Sequence, residues 1–284
     1  MKITEIYDKL KNTIKLASAD KKFVMSWAYM GDLSTNWGDK LNPYLAEKIS
    51  GIIPVHRPTV YPLFPFSVHY WIGSHLARAC SNPRGEIWGG GFISSNDKIV
   101  GKPHKIHAVR GKLSQIKLQQ HGLVAPQIVG DPALLLPLFY KPKNDLTRTK
   151  VGIIPHIHEK YEPFFEAASR WDNVKIIDIT GGIEEVVDDI TSCDLILSSS
   201  LHGIICADAF GIPSRWIEAS NKVRGDGFKF RDYFSSVGRG DEAPILVSAE
   251  TRLDDLLSNF PRYKINMNVE DLLSACPAPQ KMRK

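Results

Sequence analysis

The stretch CDLILSSSLHGIICADAFGIP, residues 193–213, decides the fold class because it places a strand directly before a helix. CDLIL is mostly apolar, which is typical of a buried parallel strand. GIICADAFG (203–211) is typical of a short helix that a glycine and a proline stop. One histidine, His202, lies on the turn between them, at the edge where parallel sheets bind their ligands.

Strand-like and helix-like segments alternate along the whole chain, which predicts an α/β fold with mostly parallel sheets. The predicted strands span residues 22–28, 69–74, 85–91, 105–110, 125–132, 150–157, 173–180, 194–199 and 214–218. The predicted helices span residues 39–50, 111–121, 162–171, 182–193, 203–211, 251–260 and 268–275.

A Pro- and Lys-rich link, YKPKNDLTRTK (140–150), separates two series of these segments. Such a composition shift is typical of a domain boundary. We therefore predict two Rossmann-like domains, residues 1–145 and 146–284, with a cleft between them. The terminal helices are placed to pack back on the first domain.

The composition is that of a globular enzyme, with 284 residues, 43% hydrophobic residues and a formal net charge of +5. A mild positive charge suits an anionic small molecule or an anionic membrane surface. No run of Lys and Arg has aromatic residues within it, so no nucleic-acid partner is predicted. The tail KMRK (281–284) is most simply a solvated end.

The first residues, MKITEIYDKLKNTIKLAS (1–18), lack the continuous apolar stretch of a signal peptide. Their apolar residues recur at helical spacing: Ile3, Ile6, Tyr7, Leu10 and Ile14. This pattern predicts an amphipathic helix docked on the domain, with a membrane-surface anchor as the alternative. No apolar stretch is long enough to span a bilayer. We expect a cytoplasmic protein that is at most peripheral at the inner face of the membrane.

The cysteines and histidines predict neither disulfides nor a metal site. The four cysteines show no CxxC spacing and are interpreted as reduced thiols of a cytoplasmic protein. The close histidine pairs His104–His107 and His156–His158 have neither an HExxH motif nor a cysteine partner.

Several predicted strands end in small or polar motifs that a simple core does not need. These ends are GS (73–74), GGG (89–91), VRG (109–111), GDP (130–132), PHIH (155–158) and SSSLHG (198–203). A single glycine there is explained by a turn, but six such ends facing one cleft indicate a binding site. None matches the dinucleotide or P-loop fingerprint, which disfavours a nicotinamide or ATP enzyme.

The SSSLHG turn predicts an anion site, because free backbone N–H groups and the dipole of the following helix attract negative charge. Ser199 or Ser200 is expected to cap that helix. His202 would hold a phosphate or carboxylate as imidazolium, or donate a proton. The alternative is a histidine packed under the turn and bonded to a carbonyl group.

An ordered set of motifs resembles the polysaccharide pyruvyl transferases. The set is NWGDKLN (36–42), IGS, WGGGF, VRGKLSQ with HGL, VGDPALLLP, IIPHIH, SSSLHGIICADAFGIP and DGFKFRDYF. It runs from about residue 30 to about residue 240 and is most similar to the short bacterial branch that decorates exopolysaccharide repeat units.

The resemblance implies two Rossmann-like domains arranged as in GT-B glycosyltransferases. It also implies phosphoenolpyruvate as donor, with no further cofactor, and a hexose of an exopolysaccharide or its lipid-linked repeat unit as acceptor. The product would be a cyclic pyruvate ketal. Many family members have Arg where this chain has Ser200, so another basic residue should replace it, with Arg224, Lys229 and Arg231 as candidates.

The chemistry of that transfer assigns roles to residues at the strand ends. Arg110 is the first choice for a fork-shaped anion clamp, and its alternative is a surface Arg opposite a helix C-terminus. His202 would be the general acid or orient the phosphate, and Asp39 or Asp131 the general base. Asp131 is interpreted equally well as a residue that caps a turn or a helix. The remaining donor-binding candidates are Ser200, Leu201, Gly203 and His156.

Acceptor contact is assigned to FKFRDYF (228–234), because aromatic faces stack on sugars and cations meet lipid-linked phosphates. Its candidates are Lys229, Arg231 and Tyr233, together with Asn36. The alternative is an amphipathic segment packed against the domain. Two rival functions keep the same fold: a GT-B glycosyltransferase that uses a nucleotide sugar, and a non-catalytic sugar-binding assembly protein.

Overall fold

A computed structural model describes residues 3–18, 23–28, 36–60, 66–143, 149–258, 260 and 263–278. The predicted domain boundary after residue 145 and the KMRK tail lie outside these residues. All strand pairs within the described part are parallel, as the alternating pattern predicted.

The first sheet is built from short strands of the first half of the chain. They are Val24–Met25 (β1), Val55–His56 (β2), Val68–Tyr70 (β3), Gly85–Trp88 (β4), Lys105–Val109 (β5) and Ile128–Val129 (β6). Their order across the sheet is β2-β1-β3-β4-β5-β6. Some strands that are neighbours in the sheet are not consecutive in the chain, because parallel strands are joined by crossover connections.

The second sheet uses strands of the second half. They are Thr149–Ile154 (β7), Val174–Ile176 (β8), Cys193–Ser198 (β9), Ser214–Glu218 (β10) and Ile245–Leu246 (β11). Their order is β11-β10-β9-β7-β8. β9 lies in the interior of this sheet, and its burial explains why its sequence is mostly apolar.

The helices connect the strands of both sheets. They are Ile3–Ala17 (α1), Trp37–Ser50 (α2), Leu76–Cys80 (α3), Lys112–Gln120 (α4), Leu136–Phe139 (α5), Pro163–Ala168 (α6), Ile183–Thr191 (α7), Leu201–Ala209 (α8), Phe228–Val237 (α9), Leu253–Leu257 (α10) and Val269–Ser274 (α11). A 3₁₀ turn, Pro132–Leu135, precedes α5.

Each predicted strand and helix overlaps an observed one, but several elements were not predicted. These are β2, β11, α3, α5 and α9. Most observed strands are shorter than predicted, whereas β10 has the predicted bounds. α8 begins at Leu201 and not at residue 203, so His202 lies inside the first turn of the helix.

A single hydrophobic cluster includes residues from both halves of the chain. Trp37 and Trp88 belong to it together with Ile204 and Phe234. The indole N–H of Trp88 also donates to the carbonyl oxygen of Leu272 in α11 at 2.9 Å, so this terminal helix packs on the first half. The two sheets are therefore held against each other by a shared core.

The predicted helix α1 is present and contacts the domain, but several of its apolar residues do not take part. Thr13 and Leu16 are buried, whereas Tyr7, Leu10 and Ile14 are 67%, 39% and 66% exposed. Among the described residues, we find no helix with the length and apolar character to cross a bilayer.

Candidate active site

The polar strand ends of both sheets meet in one crevice. Two glycines let neighbouring side chains lie against the backbone. A Cβ atom on Gly38 in α2 would overlap the ring of His202, and a Cβ atom on Gly91 would overlap the guanidinium group of Arg110. Gly38 comes from the first half of the chain and His202 from the second. The site is thus assembled between the two sheets, at their carboxyl edges.

His202 lies in this crevice with its side chain 14% exposed. Its Nε2 is 3.8 Å from Oδ2 of Asp131, and neither atom has a hydrogen-bond partner among the described residues. Burial, together with the charges of Arg110 and Lys229, lowers the pKa of His202 to about 3. These influences favour the neutral ring at physiological pH. The imidazolium predicted for a ring that holds a phosphate or carboxylate stays a prediction.

The predicted serine cap of α8 is wrong. Ser200 occupies the N-cap position but makes no side-chain capping hydrogen bond. The Ser199 hydroxyl accepts from the backbone N–H of His156 at 2.8 Å, and the Ser198 hydroxyl accepts from the N–H of Ser200 at 3.0 Å. These hydrogen bonds fix the turn and leave the first N–H groups of the helix without a serine partner.

The other turn residues proposed for the donor are closely packed. Ser200 and Leu201 are 7% and 4% exposed, and Gly203 is buried against the Ser198 hydroxyl. His156 follows β7, which pairs with β9 in the same sheet, and is half-buried. Burial and the charges of Lys229, His158 and His202 lower its pKa to about 3, so this ring is neutral as well.

Asp131 caps the following turn, as one of its two interpretations predicted, and one of its carboxylate oxygens stays unbonded to the described residues. Its Oδ1 accepts from the N–H of Ala133 at 3.0 Å and so caps the 3₁₀ turn, while Oδ2 faces His202. Burial raises the pKa of Asp131 to about 6. Asp39, in the first turn of α2, is also desolvated, and burial raises its pKa to about 7. Both carboxyl groups exchange protons near neutral pH.

Arg110 does not present a free fork in this structure. Its guanidinium is 1% exposed and donates from Nε to Oδ2 of Asp232 at 3.1 Å, from Nη1 to Oγ of Ser74 at 2.8 Å and from Nη2 to the carbonyl oxygen of Phe92 at 2.6 Å. Asp232 lies in α9, so this buried ion pair joins the two halves. The surface alternative is also wrong, because the side chain is buried.

The FKFRDYF segment forms most of α9, and its side chains differ in burial and in hydrogen bonding. Tyr233 is fully buried, with its hydroxyl donating to Asp208 at 2.8 Å, so it does not face the crevice as predicted. Arg231 donates to the backbone oxygen of Asp226. Asn36 caps α2 by accepting from the N–H of Gly38 at 3.1 Å. The amphipathic alternative thus describes much of this helix.

Lys229 differs from its neighbours in α9. It is 8% exposed, and no hydrogen bond joins its ammonium group to any described residue, although it lies 5.4 Å from the ring centroid of Phe230. Burial and the charge of Arg110 lower its pKa to about 8. At pH 7 the crevice therefore contains a buried ammonium group with free donors.

Two residues of the site were missed by the sequence analysis. His75 directly follows the GS strand end, and its buried Nε2 has no partner among the described residues. Burial, with the charges of Arg78, Arg110 and His202, lowers its pKa to about 3. Glu159 is fully buried, accepts from the Ser220 hydroxyl at 2.8 Å, and has its Oε2 unpartnered within the described part of the chain.

The sequence model of the family described as polysaccharide pyruvyl transferase matches residues 85–221. An uncharacterized protein of Acanthamoeba polyphaga mimivirus is 31% identical over 242 residues, which cover 81% of this chain and 82% of that protein. The chain belongs to the polysaccharide pyruvyl transferase family. The family match includes the strand ends that carry Arg110, Asp131, His156 and His202, and it ends before Lys229.

A second relative of this pyruvyl transferase chain is the succinoglycan biosynthesis protein ExoV of Rhizobium meliloti. It is 27% identical over 230 residues, which cover 77% of this chain and 67% of ExoV. Among solved structures, a functionally uncharacterized protein of Klebsiella pneumoniae is 12% identical, with a TM-score of 0.44 over 88% of this chain and all of that one.

Proposed function

We propose that the chain transfers the enolpyruvyl group of phosphoenolpyruvate to a hexose of an exopolysaccharide or its lipid-linked repeat unit, forming a cyclic pyruvate ketal. Membership of the family and the likeness to ExoV support pyruvyl transfer in exopolysaccharide synthesis. The two parallel sheets with a crevice between them support a GT-B-like arrangement.

The observation that carries the donor assignment is the buried ammonium group of Lys229. Phosphoenolpyruvate bears a phosphate and a carboxylate, and both supply the acceptors that Lys229 and the first turn of α8 lack. We therefore assign to Lys229 the charge that an arginine at position 200 would provide. Arg224 is exposed and Arg231 is bonded to Asp226, and both line a cavity of about 190 Å³ that also includes Ser199.

The donor also changes the protonation of the site. A multiply charged anion beside His202 favours the imidazolium, and so does the Asp131 carboxylate 3.8 Å away. In this proposal His202 takes up a proton when the donor binds, and Asp131 pairs with it. Asp39, with a pKa raised by burial to about 7, is suited to accept a proton from the sugar.

The transfer then proceeds with all atoms accounted for. His202 gives its proton to the methylene carbon of phosphoenolpyruvate, which becomes a methyl group, and an oxocarbenium-like centre develops at C2. A sugar hydroxyl loses its proton to Asp39 while its oxygen bonds to C2. The C2–O bond to phosphate breaks, and phosphate leaves with the electron pair. The oxygen of a second hydroxyl then bonds to C2 and closes the ketal ring, and its proton goes to the released phosphate. The proton on Asp39 restores the one that His202 gave up.

His202 provides the test of this function. His202→Ala should lower turnover by at least about 10²-fold if the ring is the general acid. His202→Asn should mostly weaken donor affinity if the ring only binds. Thermal-shift measurements with phosphoenolpyruvate, UDP and GDP identify the donor. Stabilisation by a nucleotide alone, or full activity of His202→Ala with a lowered Tm, would refute the proposal.

We place the reaction at the cytoplasmic face of the membrane, and α1 supports weak, peripheral association. Its exposed stripe, Tyr7, Leu10 and Ile14, is flanked on one side by Lys11 and Lys15 in the helical projection. Apolar side chains beside lysines suit an interface with anionic lipid headgroups.

Vesicle sedimentation tests the association. At low salt the protein should sediment with phosphatidylglycerol vesicles more than with phosphatidylcholine vesicles, and salt should release it. Leu10→Ser with Ile14→Ser should abolish binding, whereas the control Ile53→Ser, at a position 71% exposed, should not. Equal sedimentation with both lipids, or unchanged binding of the double variant, would show that α1 is not a membrane contact.

A further inference from the structure

A second cavity opens beside the crevice, over the carboxyl ends of β7 and β8. Its volume is about 180 Å³. The floor is apolar and includes Pro155, Ile157 and Ile177. At its rim stands Tyr161, which is 87% exposed. An aromatic ring so exposed beside an aliphatic floor offers a flat surface to the C–H face of a ring-shaped ligand.

Two groups of opposite charge complete the rim. The carboxylate of Asp178 accepts at Oδ1 from the N–H and the hydroxyl of Thr180, at 2.9 and 2.8 Å. Although burial acts to raise its pKa, these hydrogen bonds and the charges of Lys160 and Lys40 hold the pKa of Asp178 below its usual value. The ammonium group of Lys160 lies 5.0 Å from the ring centroid of Tyr161. The rim thus offers both a hydrogen-bond acceptor and a donor.

The lining of this cavity is connected through the chain to two residues of the proposed site. One wall contains Pro155 and Ile157, which flank His156 in the chain. The other wall contains Thr180, whose carbonyl oxygen accepts from Nζ of Lys40 at 2.8 Å. Lys40 is the next residue after Asp39 in α2. A molecule in the cavity is therefore bounded by the chain neighbours of His156 on one side and of Asp39 on the other.

We infer that this cavity binds a pyranose ring of the acceptor saccharide, an inference that rests on the proposed function. The apolar face of the sugar lies on Tyr161 and the aliphatic floor, and its hydroxyls bond to Asp178 and Lys160. Each hydroxyl group of a sugar both donates and accepts hydrogen bonds, and the rim of the cavity supplies an acceptor and a donor. A ring held there extends the acceptor toward Asp39, the proposed base.

Saturation-transfer NMR with the methyl glycosides of glucose, galactose and mannose tests the assignment, with UMP as a separate probe. At least one glycoside should bind the wild type. Tyr161→Ala should raise its Kd by about tenfold, and Asp178→Asn should weaken it also. Tyr161→Phe, which keeps the ring, should bind as the wild type does. The control Val124→Ala, at an apolar position 84% exposed, should leave binding unchanged.

Thermal shift with phosphoenolpyruvate separates this inference from the proposed function, since Tyr161→Ala should keep the donor response of the wild type. A wild type without a donor response but with Tyr161-dependent glycoside binding would refute the pyruvyl donor and keep the sugar site. The sugar site is refuted if no glycoside binds, if Tyr161→Ala binds glycosides normally, or if UMP alone binds in a Tyr161-dependent manner.

Discussion

Arg110 and Lys229 are two buried cations of the same crevice, and their surroundings differ. Arg110 is 1% exposed and donates to Asp232, Ser74 and Phe92. Lys229 is 8% exposed and donates to no described residue. A buried polar group without a partner destabilises the fold unless something else bonds to it. Arg110 thus joins the two halves through Asp232, whereas the lack of a hydrogen-bond partner for Lys229 supports the donor-binding role proposed for it.

The carboxylates of the site repeat the contrast. Asp232 pairs with Arg110 and also accepts from the N–H and the hydroxyl of Ser114, at 2.8 and 2.7 Å. Asp131 is equally buried, yet its Oδ2 has no partner among the described residues. Burial alone therefore does not identify a functional charge, and the missing partner is the informative observation.

The largest expected effect is on stability, from Arg110→Met. This change leaves Asp232 buried without its cation, which should lower the free energy of unfolding by about 3–5 kcal/mol in urea denaturation at pH 7. The double variant Arg110→Met with Asp232→Leu should recover much of the loss. A single variant as stable as the wild type would abolish the contrast with Lys229.

Lys229→Met should act in the opposite direction. Burial lowers the pKa of Lys229 from 10.5 to about 8, so a charged ammonium in the folded chain costs about 3 kcal/mol at pH 7. Removing it should raise the free energy of unfolding by up to that amount, while the Kd for phosphoenolpyruvate rises about tenfold or more.

The pH dependence of Lys229→Met provides its control. Between pH 8 and 10.5 the unfolded wild type binds more protons at this position than the folded chain, so wild-type stability gains with pH, and the variant should lack that gain. A less stable variant that binds the donor normally would mean that Lys229 is structural.

Asp131→Asn extends the test to the carboxylates. Burial raises the pKa of Asp131 from 3.8 to about 6, so the folded chain holds this proton more tightly than the unfolded chain does. The protonated carboxyl group therefore contributes its full stabilisation below pH 3.8, and this stabilisation is lost as the pH rises to about 6. Asn keeps the cap on Ala133 and cannot ionise. The variant should gain about 3 kcal/mol over the wild type at pH 8 and little at pH 4, seen as a higher Tm.

Asp232→Asn is the matched control for that measurement, because its carboxylate is fully bonded to Arg110 and Ser114. It should destabilise the fold at pH 8. If Asp131→Asn were to lose stability at pH 8 as Asp232→Asn does, the distinction between free and bonded carboxylates would fail.

The smallest expected effect is that of EDTA on activity, which should be none. Among the described residues, no group of three or more His, Cys, Asp or Glu side chains is arranged to hold a metal ion. In the proposed mechanism Lys229 supplies the positive charge that a metal would otherwise provide. Loss of activity on chelation, restored by Mg²⁺ or Mn²⁺, would instead favour a nucleotide-sugar enzyme.

The sequence predicted the repeating pattern of the fold because strand composition and helix periodicity are local properties. It also predicted that His202 and Asp131 lie at one edge, where their side chains come within 3.8 Å, since polar residues after apolar strands meet at one edge of a parallel sheet. The catalytic roles of these residues and of Asp39 stay predictions. It could not show that Arg110 pairs with Asp232, which is 122 residues away. That pairing depends on how two separate sheets pack together, and no local pattern encodes it.

Two errors had signals that could have been read. In α9 the residues Phe230, Tyr233, Phe234 and Val237 recur at i, i+3, i+4 and i+7, which is the pattern of a helix face turned to the core. If this helical spacing had been given more weight than the aromatic and basic composition, Tyr233 would have been predicted to be buried in the core. His75 directly follows the GS strand end, and extending that motif by one residue would have included it.

Because Gly38 of the first half lies against His202 of the second, the proton affinity of the His202 ring depends on the distance between the two halves. The ring is buried partly because α2 of the first half lies against it. Hinge opening would let water reach the imidazole and return its pKa toward 6.5 from about 3. An open form would therefore bind this proton more tightly, so acidification would favour it and closure would release the proton unless an anion had entered.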